Sequence, residues 1–119
     1  GAVRFAGQKT NPFPYMVHAD FLVLSSRWEG SPNTVLESLG CGTPVLAFDC
    51  PGGTAEIITE GRNGWLAPAE DWEALAERMI RIAEGKAWCD LRGGNLLPER
   101  HRCGNVVSRW EALFAGETG

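Results

Sequence analysis

Two features that mark particular classes of protein are missing from this sequence. No apolar run reaches the roughly 18 residues that a transmembrane helix needs. Basic residues form no stripe, and the formal net charge of −4 argues against nucleic-acid binding through phosphates. We therefore expect neither a membrane-spanning helix nor a nucleic-acid partner.

Cysteine pairs at metal-binding or redox spacing are also missing. Cys41, Cys50, Cys89 and Cys103 form no C-x-x-C pair and no spacing typical of a disulfide framework. Reduced thiols in a cytoplasmic protein are the simplest interpretation. Cys89, His101 and Cys103 could be considered as zinc ligands, but their spacing fits no zinc module and a fourth ligand is missing. The sequence therefore predicts neither disulfides nor a metal site.

The first residues of the sequence bear on whether the chain is part of a longer protein. Residues 1–5 (GAVRF) form neither a signal peptide nor a natural initiator segment, so we expect a cut inside a longer protein. The 119 residues are enough for one domain and too few for two. We treat residues 1–119 as a single, partial domain.

Short apolar runs alternate with helical patterns along the chain. Phe21–Leu24 and Val45–Phe48 are too short for helices and show no alternation, which predicts strands buried on both faces of a parallel sheet. A helix from about Pro32 to Cys41 separates them, and Asp71–Ala83 has the apolar spacing of an amphipathic helix. The further expected elements are a strand at Val3–Ala6, short helices at Tyr15–Ala19 and Thr54–Thr59, an edge strand at Trp65–Ala67, an irregular segment from 86 to 104 and a final helix at Asn105–Ala115. This order predicts an α/β fold with an open parallel sheet, in which ligands bind outside the carboxyl ends of the strands.

The loop after the strand at Phe21–Leu24 has the composition of an anion site. Ser31 is a suitable N-cap, and Pro32 suits the first helical position. Gly30 lets the backbone come close to a ligand. The amides of residues 33–35 would point out of the helix start, where a phosphate or diphosphate binds favourably.

Two carboxylates flank this predicted anion site. Glu29 precedes the helix, and Glu37 falls on the side away from the apolar stripe of Val35, Leu36 and Leu39. Carboxylates repel phosphate but accept hydrogen bonds from vicinal hydroxyls. Taken together, the pattern suits a ligand with a sugar, a phosphate and a ribose in that order.

The segment that contains both carboxylates, Glu29–Glu37 (EGSPNTVLE), matches a known motif. It resembles the E-x7-E motif of glycosyltransferase family 4, the group 1 glycosyl transferases. The match extends through residues 38–45 (SLGCGTPV), 49–53 (DCPGG), 56–57 (EI) and 61–66 (GRNGWL), and upstream through 11–16 (NPFPYM) and 19–20 (AD). The resemblance covers about residues 3–83.

The resemblance implies a GT-B fold, in which two Rossmann-like domains face a cleft. This chain would be part of the C-terminal, donor-binding domain. The family pattern implies that Glu37 binds the ribose hydroxyls of the nucleotide and that Glu29, the expected catalytic residue, contacts the donor sugar. The donor and its nucleotide would lie against Gly30, Ser31, Pro32, Asn33, Thr34, Glu37, Gly52 and Gly53.

The resemblance also implies an activity for the longer protein. It would transfer a hexosyl group, with retention of configuration, from a nucleotide-diphosphate sugar to a glycan or lipid-linked acceptor, without a metal or another cofactor. The acceptor would bind to an N-terminal domain missing here, so we expect the isolated fragment to be inactive. The motif variants are most similar to those of enzymes of surface polysaccharide biosynthesis, which implies a cytoplasmic enzyme, peripheral to the inner face of the membrane.

Two other functions stay open at this point. A sugar-nucleotide epimerase shares the overall fold, and a degenerate module could bind a partner without catalysis. In a Rossmann order of 3-2-1-4-5-6, the chain would supply strands 3, 4, 5 and 6 and lack strands 1 and 2. We therefore expect the fragment to fold poorly, to rearrange or to self-associate through exposed edges.

Overall fold

The computed structural model describes residues 3–27, 33–86 and 96–116. It contains three strands, and helices precede, separate and follow them. In chain order the elements are α1 (Phe13–His18), β1 (Leu22–Leu24), α2 (Asn33–Gly40), β2 (Val45–Asp49), α3 (Thr54–Ile57), β3 (Gly64–Pro68), α4 (Trp72–Ala83), a 3₁₀ turn (Glu99–His101) and α5 (Cys103–Phe114).

The strands form one parallel sheet in the order β1-β2-β3. Leu22 of β1 is paired with Val45 of β2, and Val45 is also paired with Gly64 of β3. Each new strand is therefore added beside the one before it, and all three carboxyl ends meet at one edge of the sheet. This is the order predicted for strands 4, 5 and 6.

Two apolar clusters cover the two faces of β2. In the first cluster, Val45 and Ala47 pack with residues of α2 and α3, with Ile58 directly after α3, and with Leu96. Leu46 and Phe48 pack with β3 and with Leu75 of α4 in the second cluster. Successive strand residues point to opposite faces, so an apolar strand without alternation is buried on both sides, as the sequence predicted. The first cluster consists of Val35, Leu39, Val45, Ala47, Ile57, Ile58 and Leu96, and the second of Leu46, Phe48, Cys50, Trp65, Ala67 and Leu75.

Most predicted elements are confirmed with small changes of boundary. Helix α1 begins two residues earlier than expected and ends one residue earlier, and α3 ends two residues earlier, at Ile57. The amphipathic pattern from 71 to 83 forms α4, and Asp71 caps it by accepting a hydrogen bond from the amide of Ala74 at 2.9 Å. Ser31 and Pro32, the predicted start of α2, lie outside the described residues.

The predicted strand at Val3–Ala6 is wrong, because these residues form no strand. Val3 and Phe5 are 75% and 95% exposed. A strand needs a neighbour that satisfies its backbone groups, and none of the strands among the described residues pairs with this segment. The local apolar pattern is therefore insufficient to place this segment in the sheet.

The outer edge of the sheet, at β3, is covered by a side chain. The amide of Leu66 donates a hydrogen bond of 2.7 Å to Oε2 of Glu60. The other carboxylate oxygen of Glu60 forms an ion pair with Arg78 of α4. A charged group at this position satisfies an amide that would otherwise be available to another strand.

The last helix lies apart from both apolar clusters. The expected apolar side of α5 is exposed, with Trp110 and Phe114 stacked on each other at 5.8 Å between ring centroids. No residue of α5 is buried. The helix begins at Cys103, two residues before the predicted start.

Candidate functional site

The candidate site lies at the edge of the sheet where the parallel strands end. Helices α2 and α3 follow β1 and β2, so both begin near this edge. The structure describes five of the predicted site residues, which lie on α2 or in the loop before α3: Asn33, Thr34, Glu37, Gly52 and Gly53. The other predicted site residues, Glu29, Gly30, Ser31 and Pro32, lie outside the described residues.

The first part of the site is the exposed side of α2. Asn33 and Thr34 occupy the first turn, and Glu37 lies one turn further along; all three are exposed. Residues 33 and 37 are four apart, so their side chains share one side of the helix. The opposite side is buried through Val35 and Leu39, which confirms the predicted orientation of Glu37.

The start of a helix favours an anion for two reasons. The first N–H groups of an α-helix have no carbonyl partner within the helix, and the aligned peptide dipoles add positive potential there. Asn33 and Thr34 are the first described residues of α2, which follows β1 along the chain. Glu37 lies one turn further along the helix, about 5.4 Å from its first described turn.

The second part of the site is the loop between β2 and α3. Gly52 and Gly53 have φ values of 114° and 91°, a region that side chains with a Cβ rarely adopt. Gly53 is also the N-cap of α3. A Cβ on Gly53 would meet the Glu56 carboxylate at an ordinary 3.6 Å, so conformation rather than space requires glycine at this position.

Buried hydroxyl groups hold α2 against the rest of the fold. Ser38, on the buried side of the helix, donates a hydrogen bond of 3.0 Å to the carbonyl of Thr43. The hydroxyl of Thr43 in turn donates to the carbonyl of Met16, at the end of α1. These bonds connect the carboxyl end of α2 to the segments on either side of it, which fixes the direction in which its exposed start points.

Sequence reasoning did not assign three charged residues near this edge. Asp49 is the exposed last residue of β2. Arg27, which follows β1, forms an ion pair of 3.2 Å with Glu70, which follows β3, so the pair joins the ends of the two strands that flank β2. Glu70 has a φ of 60°, the one positive value among the described residues other than glycine. A polar residue directly after an apolar strand was the available signal for Asp49, whereas the Arg27–Glu70 pair needs the strand order.

The pKa of His101 is perturbed by its surroundings. Partial burial lowers the pKa of His101, and the cations of Arg100 and Arg109 lower it further against an opposing effect of Glu56. The neutral ring accepts a hydrogen bond of 3.1 Å from Nε of Arg100. Arg100 also donates to the backbone carbonyl of Glu56 in α3. Arg100 and His101 therefore lie near the carboxyl end of α3, the end away from Gly52 and Gly53.

Within residues 3–27, 33–86 and 96–116, no cluster of three or more His, Cys, Asp or Glu side chains could hold a metal ion. Cys103 is exposed and His101 is half-buried, while Cys89, the remaining residue of the considered zinc set, lies outside the described residues. The described cysteines, Cys41, Cys50 and Cys103, are free thiols. The part of the chain that the structure describes has no helix long and apolar enough to cross a membrane.

The strand order and a solved structure define the fold. The apo form of the lipopolysaccharide outer core galactosyltransferase WaaB matches with a TM-score of 0.78 and 23% identity, covering 93% of this chain and 32% of that chain. The fold is therefore the Rossmann-like α/β architecture of GT-B glycosyltransferases. The family description "Glycosyl transferases group 1" matches residues 1–85. The chain belongs to this family, as the E-x7-E segment predicted.

Curated relatives are much longer than this chain. An uncharacterised glycosyltransferase of Methanocaldococcus jannaschii is 45% identical over 61 residues, covering 51% of this chain and 15% of that protein. An exopolysaccharide phosphotransferase of Streptomyces coelicolor is 31% identical over 116 residues, covering 95% of this chain and 12% of that protein. The chain thus spans between 12% and 15% of the length of these two relatives.

Proposed function

We propose that this chain forms the nucleotide-sugar-binding surface of a retaining glycosyltransferase of surface polysaccharide biosynthesis. The observation that carries the proposal is the exposed side of α2, where Asn33, Thr34 and Glu37 follow β1 at the ligand-binding edge of the sheet. Family membership supports the activity, because this surface carries the second carboxylate of the family's E-x7-E motif. The names of relatives that act on lipopolysaccharide and exopolysaccharide support the pathway.

Each part of the donor has a counterpart on this surface. The diphosphate binds at the start of α2, where the helix dipole favours negative charge. Glu37 accepts hydrogen bonds from the ribose hydroxyls, for which a carboxylate is a stronger acceptor than a neutral group. Gly52 and Gly53, which have no side chain, let the backbone approach the donor closely. Glu29 is the proposed catalytic residue, and with Gly30, Ser31 and Pro32 it completes the donor site.

The remaining parts of the reaction belong to the longer protein. The proposed acceptor is a glycan or a lipid-linked sugar, bound by a domain on the other side of the cleft. The proposed donor is a nucleotide-diphosphate hexose, transferred without a metal or another cofactor. The proposed location is the cytoplasm, at the inner face of the membrane. The phosphotransferase name does not redirect this proposal, because residues 1–85 match the family of group 1 glycosyl transferases.

A nucleotide titration tests the proposed donor site. The isotope-labelled chain is titrated with UDP, GDP and ADP while amide NMR shifts are recorded. We expect shifts at residues 33–37 and 52–54, with Glu37→Ala lowering the affinity about 10- to 100-fold, as for loss of a hydrogen bond to a charged group. Glu73→Ala is the matched control, because Glu73 is also an exposed helical carboxylate but lies on α4.

The outcomes separate the proposed function from its alternatives. Equal affinity in the Glu37→Ala and Glu73→Ala variants contradicts the role of Glu37. Nucleotide binding without sugar transfer by the longer protein favours an epimerase, which product analysis identifies. A folded chain that binds none of the three nucleotides favours a partner-binding module.

A further inference from the structure

Helix α3 consists of four residues, Thr54–Ile57, and is too short to be stable alone. Its direction therefore depends on the groups that hold its ends. The amino end is the loop at Gly52 and Gly53, which is part of the proposed donor site. The carboxyl end is held by the side chain of Asn63.

The Asn63 side chain closes the carboxyl end of α3. Its Oδ1 accepts a hydrogen bond of 2.8 Å from the amide of Thr59, and its Nδ2 donates one of 3.0 Å to the carbonyl of Ile57. Carbonyls at the last turn of a helix have no partner within the helix, so a side-chain donor at this place stabilises the helix end. Asn63 is 4% exposed, and these groups therefore have little access to water.

The second donor of Asn63 connects α3 to α2. Nδ2 also donates a hydrogen bond of 3.2 Å to the carbonyl of Leu96. The amide of Leu96 donates one of 3.3 Å to the carbonyl of Leu39, near the carboxyl end of α2. The side chain of Leu96 is 1% exposed and packs in the first cluster with residues of both helices.

We propose that Asn63 is a positioning residue for the donor site, which sets the placement of α3 relative to α2 through the carbonyls of Ile57 and Leu96. The two helices share one face of the sheet, and each carries one part of the proposed site at its start. A shift of α3 against α2 changes the distance between the loop at Gly52 and Gly53 and the exposed side of α2. The effect of Asn63 on affinity rests on the proposed function, whereas its effect on helix placement does not.

The test compares Asn63→Ala with Leu75→Ala. Leu75 belongs to the second cluster, on the other face of the sheet, so its truncation destabilises the fold without touching the bridge between α2 and α3. Both variants are studied at temperatures that give the same folded fraction. Amide NMR spectra and titrations with UDP, GDP and ADP are recorded for each, so that a general loss of stability affects both equally.

Under the proposal, Asn63→Ala moves the amide resonances of residues 33–37 and 52–54 and weakens nucleotide binding roughly tenfold, a size found for mutations that act on a site without touching the ligand. Leu75→Ala leaves these amide resonances and the nucleotide affinity unchanged. Equal effects of the two variants, or changes confined to residues 57–63 and 96–97, overturn the proposal. If the wild-type chain binds no nucleotide, the proposed function fails, and the amide shifts at 33–37 and 52–54 alone decide the role of Asn63.

A second variant separates the loss of the two donors from the loss of the side chain. Asn63→Asp keeps an acceptor for the amide of Thr59 but loses both donors, so it breaks the bridge without removing the side chain. We expect it to reproduce the resonance changes of Asn63→Ala at residues 33–37. If neither variant folds, the wild-type side-chain amide of Asn63 decides: its resonances shift on nucleotide addition under the proposal, and unchanged resonances overturn it.

Discussion

Replacement of Gly64 by alanine tests the close contact between β2 and β3. A Cβ at Gly64 would lie 2.2 Å from the carbonyl oxygen of Val45 and 3.2 Å from Cγ2 of Ile58. Carbon and oxygen atoms in contact are normally about 3.3 Å apart or more, so one strand must move by about 1 Å. The atom that has to move belongs to the backbone of the central strand, which is paired on both sides.

The cost of Gly64→Ala follows from overpacking and from lost hydrogen bonds. Forcing a methyl group into a packed core costs about 1–3 kcal/mol. Moving the strand also weakens the bond of 2.8 Å from the amide of Gly61 to the carbonyl of Gly64, worth about 1 kcal/mol. We therefore expect the free energy of unfolding to fall by about 2–4 kcal/mol, a large part of the roughly 5–15 kcal/mol typical of a domain.

Urea denaturation of the wild type and two glycine variants measures this effect. Gly104→Ala is the matched control, because a Cβ there meets nothing within 4 Å and Gly104 lies within α5. Alanine favours a helix over glycine by about 0.5–1 kcal/mol, so this variant is expected to be slightly more stable than the wild type. A loss of less than about 1 kcal/mol in Gly64→Ala refutes the strand contact, using the lower limit for overpacking.

Three further predictions concern the surface of the molecule. Glu60→Ala removes the acceptor for the amide of Leu66 and lowers the free energy of unfolding by about 1 kcal/mol in urea denaturation, whereas Glu60→Gln, which keeps an oxygen, loses less. The pKa of His101 lies below 6.5 in the folded chain, so the free energy of unfolding falls as the pH drops below 6.5. His101→Asn is expected to remove this part of the pH dependence in thermal melts. An unchanged pH profile of this variant contradicts the prediction. The apolar side of α5 is exposed, and the outer edge of β1 has no partner among the described strands. We therefore expect the chain to associate as its concentration rises, and Trp110→Glu to associate less. A wild-type chain that sediments as a monomer at all concentrations contradicts this prediction.

Local sequence patterns were sufficient where burial alone decides the structure. The apolar run at Val45–Phe48 forms a strand because both of its faces meet apolar residues, whatever the identity of the neighbours. The periodicity of α2 correctly predicted that Val35 is buried and Glu37 exposed. The run at Val3–Ala6 has a similar composition and forms no strand, because strand formation also requires a hydrogen-bonding neighbour.

The candidate site was predictable only in the part that lies on one element. The position of Glu37 relative to Asn33 follows from the helix repeat, so the sequence is sufficient. The ion pair of Arg27 and Glu70 joins residues 43 positions apart, and it exists because β1 and β3 flank the same strand. The bridge from Asn63 to Leu96 likewise depends on how distant segments pack, and no local signal in the sequence indicates it.

The two faces of the sheet have unequal consequences for the proposed site. Helices α2 and α3 lie over the first cluster, and both begin at the edge where the strands end, so each loss of packing there displaces a part of the site. Helix α4 lies over the second cluster, on the opposite face of the sheet from α2 and α3. Because packed interiors transmit displacement between residues in contact, substitutions in the first cluster change helix placement directly. It follows that substitutions of equal cost in stability differ in their effect on nucleotide affinity according to the face on which they lie.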